Sequence, residues 1–135
     1  MGAGVTLIGG VPTGWRTLTG DARPEPAWSS VYLDFPVIHP WLVGRFSDLS
    51  GVDAELTEVI LPDVALAAAH GIDYLPCLWP GFSWSNIHEG STPLNQIPRM
   101  SGQFLWRQLH NVLTHAKVLA RLSESELNRA SGSGS

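Results

Sequence analysis

The stretch Gly71-Ile72-Asp73-Tyr74-Leu75-Pro76-Cys77-Leu78-Trp79-Pro80-Gly81-Phe82-Ser83-Trp84-Ser85-Asn86 decides how the rest of this chain is read. Upstream of it Ala65, Ala67, Ala68 and Ala69 belong to a helical segment, and Gly71 is placed to end that helix as a C′ residue. The apolar run over 74–79, bounded by glycine, reads as a buried parallel strand. It empties into a loop bearing rings and amides. At the carboxyl end of a strand in an α/β barrel, such groups are the usual furniture of a ligand site.

Working outward, residues 5–11 read as a first buried strand, followed by a loop over 12–23 rich in Gly, Thr and Arg. Pro26 suits the first turn of a short helix running from Ala27 to about Phe35. A second strand is expected over 41–46, with Pro40 at its start, where a missing N–H is tolerated. Its exit loop covers 47–52. Asp53 is expected to cap the next helix, interrupted near Pro62. Beyond a long loop reaching Ile97, Pro98 starts a helix with apolar positions Leu105, Leu109, Val112 and Ala116. This β-α-β-α-β-α order implies a parallel sheet. Residues 117–130 allow one long helix or a strand followed by a small helix; the alternating spacings of four and three favour the single helix. Residues 1–130 read as one domain and 131–135 as a flexible tail.

With 135 residues, 44% of them hydrophobic and only 15% charged, the chain is about half a typical eight-fold barrel and poor in surface charge. A net charge of −4 with scattered Lys and Arg argues against nucleic-acid and anionic-membrane partners. No stretch is apolar enough to span a bilayer and no secretory signal is present, so a cytoplasmic location is expected. The single Cys77 lies in the expected third strand and reads as a buried, inert thiol.

Several collinear motifs over about 5–115 resemble one family. They are Gly9-Gly10-Val11-Pro12-Thr13 with Trp15-Arg16-Thr17-Leu18, Pro40-Trp41 with Val43-Gly44-Arg45, and Gly71-Ile72-Asp73-Tyr74-Leu75-Pro76. Pro80-Gly81-Phe82-Ser83-Trp84 and Asn95-Gln96-Ile97-Pro98-Arg99 complete the set. Together they look like bacterial proteins related to glycoside hydrolase families 71 and 99. The resemblance implies a partial (β/α)8, or TIM-type, barrel acting on glycans, with about three βα units present. The family's acidic catalytic strand has no counterpart over 115–130, so no catalytic acid is carried over.

Glycoside hydrolysis ordinarily needs two carboxyl groups flanking the scissile bond. The expected exit loops offer Glu89 and Asp48, with Asp21 a turn residue and Asp53 a cap. For binding, Trp84, Asn86 and Asn95 suit sugar faces and hydroxyls, while Trp79 and Phe82 serve a site or plug the interior. Arg16, Arg45 and Arg99 are expected near one face, available to a ligand or paired with Asp21, Asp48 or Asp73. The five histidines lack metal-ligand spacing, and no phosphate loop or nucleophile elbow is present, so neither metal nor cofactor is expected.

The expected function is a hydrolase-like barrel fragment binding a saccharide or other small polar ligand. A non-catalytic glycan-binding module, a purely structural fragment, and an ester or phosphoester hydrolase stay open beside it. Exposed edges of a three-stranded unit predict a homo-oligomer, most simply a dimer.

Overall fold

The computed structural model describes residues 4–83, 85 and 96–115. Three strands, β1 (Ile8–Val11), β2 (Val37–Pro40) and β3 (Asp73–Tyr74), form a parallel sheet in the order β1-β2-β3. Helices α1 (Ala27–Leu33), α2 (Leu49–Glu55) and α3 (Leu61–Ala69) lie between them in sequence. The architecture is therefore α/β with a parallel sheet, as the alternation of elements predicts. Gly9 and Val11 of β1, with Ile38 and Pro40 of β2, turn to the covered face; Ile8, Gly10, Val37 and His39 turn to the other. Gly9 is required there, because a Cβ would stand 2.4 Å from the Phe35 ring. On the covered face Val11, Ile38, Tyr32, Ala67 and Ile72 pack around the fully buried Trp15.

The second strand lies earlier than expected. Val37 and Ile38 supply β-branched residues, and Pro40 ends the strand instead of opening it. Residues 41–46 form its exit loop, where Arg45 N–H donates to the Leu42 carbonyl at 3.2 Å and Gly44 adopts φ +84°. The apolar positions that imitate a strand, Leu42 and Phe46, reach into a second core beyond the sheet, shared with Val52, Cys77, Trp79, Ile97 and Phe104. The third strand is shorter than expected: after Leu75 N–H donates to the Ile38 carbonyl, Pro76 has no N–H to continue the ladder.

Asp48, not Asp53, caps the next helix, its Oδ1 accepting from Gly51 N–H at 2.8 Å. Asp53 lies inside α2. Pro62 interrupts nothing, because a widened π-turn over Leu56–Ile60 joins α2 to α3. A proline ring crowds the carbonyl four residues back, here that of Glu58, and the widened turn relieves the clash. That carbonyl instead accepts from Arg16 Nη2 at 3.4 Å. At the other end Gly71, at φ +68°, bonds back to Ala68 and Ile72 bonds back to Ala67, the paired pattern of a Schellman motif.

Pro98 does not itself start a helix. A tight turn over Met100–Gly102 intervenes, and α4 then runs over 103–115. Its most buried positions are Phe104, Gln108 and Asn111, with Leu105, Leu109 and Val112 half-buried beside them. The seam is displaced by one residue from the leucine stripe because its neighbours demand polar partners. Gln108 Nε2 donates to the Trp79 and Phe104 carbonyls, both at 2.9 Å, and its Oε1 accepts from Trp79 N–H at 3.2 Å. Ala116 and residues 117–135, including both readings of 117–130, lie outside the described residues.

Candidate functional site

The loop leaving β1 is folded around one carboxylate. Asp21 accepts from the backbone N–H of Thr13 at 3.0 Å and of Gly14 at 2.9 Å, and it pairs with Arg45 from the loop leaving β2. Partial burial works against ionisation of Asp21, but the Gly14 and Thr13 amides and Arg45 outweigh it and hold the carboxyl below its ordinary range. Gly14 admits no side chain, since a Cβ would stand 1.9 Å from the Thr19 carbonyl oxygen. The loop is thereby closed onto itself, with the Thr17 and Thr19 hydroxyls 2.6 Å apart.

Arg16 from the same loop reaches α3. Its Nε donates to Asp63 Oδ1 at 2.6 Å, while the Trp15 indole N–H donates to Oδ2 at 2.8 Å. Asp63 is fully buried, and burial pushes its carboxyl above the usual range against the pull of Arg16 and Trp15. Thr13, Arg16, Thr17, Thr19, Asp21, Arg45, Glu58 and Asp63 line one cleft of about 360 Å³ at the carboxyl ends of β1 and β2. Arg45 and Glu58 also wall a neighbouring cleft of about 350 Å³ with Asp48 and Glu55.

The expected site residues are distributed among several places. Arg16 and Arg45 meet at the first cleft. Arg99 lines a different one of about 360 Å³, with Phe82, Ser83 and Gln96. There the Phe82–Ile97 antiparallel bridge closes the base of the loop, and Gln96 Nε2 donates to Ser85 Oγ at 3.0 Å. Trp84, Asn86, Glu89 and Asn95 lie outside the described residues. Trp79 takes the packing role. It is buried against Phe46 and Phe104, with ring centroids 5.1 and 4.8 Å away, and its indole nitrogen has no partner among the described residues. Asp48 is engaged in capping, and Asp53 pairs with Arg107 and Asn111 of α4.

Three titratable groups escape the sequence reading: Asp63, Glu55 and Tyr74. Glu55 has one carboxyl oxygen buried without a hydrogen-bond partner among the described residues, and burial, then Asp63, pushes it above the ordinary range. The Tyr74 hydroxyl is likewise buried and unpartnered, its ionisation suppressed by burial and by Asp63 and Glu55. Asp63 left a legible trace. It follows Val52 and Leu56 and precedes Ala67 on one helical face, a carboxylate in an otherwise apolar row. Such a residue demands a buried partner.

Among the described residues no group of three or more His, Cys, Asp or Glu is placed to hold a metal ion, and no helix is long and apolar enough to cross a membrane. Compared with protein-family models, curated proteins and solved structures, the chain matches none.

Proposed function

We propose that this chain is a saccharide-binding fragment of a glycoside hydrolase-like (β/α) barrel, with its ligand in the cleft framed by Arg16, Arg45 and Asp21. The observation that carries this reading is the pairing of charges around that cleft. Arg16 is compensated by Asp63 and Arg45 by Asp21, with threonine hydroxyls between them. Glu58 adds a further negative charge. Among the described residues lining it, a phosphate or carboxylate ligand meets no unpaired cation and one surplus carboxylate, whereas a neutral polyol finds fixed donors and acceptors without that repulsion. The same pairing weighs against hydrolysis in this cleft, because Asp21 and Asp63 are both committed to structural bonds.

Titration with mannotriose, cellotriose, xylotriose and maltotriose, read by tryptophan fluorescence and calorimetry, tests the proposal. At least one trisaccharide is expected to give a saturable shift, since the buried Trp15 is bonded to Asp63 beneath the cleft. Arg45→Met is expected to weaken that binding about tenfold, the loss of one or two charge-assisted hydrogen bonds, with the circular dichroism unchanged. Silence from all four sugars would remove the reading. A second copy of the chain is the proposed partner, supplying walls that a three-stranded sheet lacks.

A further inference from the structure

We infer that the ligand is an oligosaccharide crossing from the Arg16 cleft into the neighbouring one, which makes the second cleft a sugar subsite of its own. The inference rests on the saccharide reading above and fixes the substrate class as a chain of at least two units. The clefts measure about 360 and 350 Å³ and have two wall residues in common, Arg45 and Glu58. Each lies near the lower end of small-ligand sites, which begin at about 300 Å³. A ligand that used the pair would therefore be elongated, with one unit on either side of the shared wall.

The two residues of that wall have bonding capacity to spare. Arg45 spends Nη2 on Asp21, while its Nε and Nη1 have no acceptor among the described residues. The exposed Glu58 carboxylate makes no hydrogen bond or ion pair among them; only its backbone carbonyl is engaged, by Arg16. Spare donors and spare acceptors on one wall suit the hydroxyls flanking a glycosidic linkage, since each hydroxyl both donates and accepts. Beyond the wall, the exposed Ser47 hydroxyl is unbonded among the described residues, and Ser50 donates to Asp48 Oδ1 with its own oxygen left to accept. Phe46 and Ala54 add apolar carbon for the C–H face of a ring. Asp48 and Glu58 face only Arg45, already paired with Asp21, so the unit seated here is not a uronic acid.

Chain length and a plugged second cleft together test this. Calorimetry compares mannose, mannobiose and mannotriose, and likewise the mono-, di- and trisaccharides of the cellotriose, xylotriose and maltotriose series. In a series that binds, affinity is expected to rise about tenfold from the single unit to the disaccharide. Ala54 is exposed on α2 and lines the second cleft but not the first. Ala54→Phe is therefore expected to lower disaccharide affinity about tenfold, to that of the single unit, whose own binding stays as in the wild type. Ser47→Phe fills the same cleft from the loop before α2 and is expected to act alike, with circular dichroism confirming that both variants are folded. Equal affinities for the single unit and the disaccharide overturn the inference and leave the saccharide reading standing. A rise that survives the plug in folded protein does the same, because the second unit then lies elsewhere. Failure of every sugar to bind removes both.

Discussion

Asp63 shows how a single buried carboxylate holds two segments together. Its oxygens are the acceptors for both Trp15 and Arg16, so Asp63→Ala strands an indole N–H and a guanidinium at once. The expected cost is about 2–4 kcal/mol by urea denaturation, below that of a fully enclosed pair because Arg16 keeps some contact with water. Replacing both partners, as in Arg16→Met with Asp63→Leu, is expected to recover much of the loss; equal or greater destabilisation would contradict this account. Glu55 has the opposite sign. Its folded carboxyl sits above the unfolded value because of burial, so its charge opposes folding at neutral pH and stability falls as pH rises through that folded value. Glu55→Gln is therefore expected to stabilise at pH 7 by on the order of 1 kcal/mol and to change little at pH 3. Thermal melts at both pH values check this.

Element by element, the helices are joined by side chains that periodicity treats as surface. Asp53 of α2 receives Arg107 Nε at 2.8 Å, Arg107 Nη2 at 2.6 Å and Asn111 Nδ2 at 2.9 Å from α4. Those hydrogen bonds, first from Arg107 and then from Asn111, lower the Asp53 carboxyl to about 2. A depressed carboxyl contributes stability above its unfolded value, near 3.8, and loses it as pH falls toward 2. Acid titration followed by circular dichroism is expected to show a stability loss in that window which Asp53→Asn lacks. A variant keeping the full acid transition would show that the contact between α2 and α4 does not depend on this group. The π-turn before Pro62 is a second device at this scale. Proline marked the place in the sequence, but a changed hydrogen-bond register absorbs it without breaking the helix.

At the level of the whole molecule, the described sheet has three strands and two edges. Among the described residues β1 and β3 each have one neighbour, and Val5, Leu7 and Ile8 stand exposed at or beside the first strand. Parallel sheets ordinarily bury both faces, and open edges invite further pairing. The proposed assembly is tested by light scattering after size exclusion, where a mass at a multiple of 14.6 kDa is expected. Ile8→Lys is expected to shift that mass toward the monomer while leaving the helical content unchanged. A folded wild-type monomer would dismiss the shared-core proposal.

The parallel, alternating order of strands and helices was written in the sequence, because glycine stops, proline positions and short apolar runs act locally. Gly71 as a helix end and Cys77 as a buried thiol were legible there, while Asp21 stood only as one of three possible partners for Arg45. The second strand was not, since residues 41–46 alternate like a strand yet serve a core from a loop. Pairing across long sequence separations was equally hidden. Arg16 finds Asp63, Arg107 finds Asp53 and Gln108 finds the backbone of Trp79 only once α3 and α4 are packed. Local chemistry determines where a chain turns and which way its elements run. Which charges meet, and therefore how far the charges around a cleft are compensated, depends on contacts that exist only in the folded molecule.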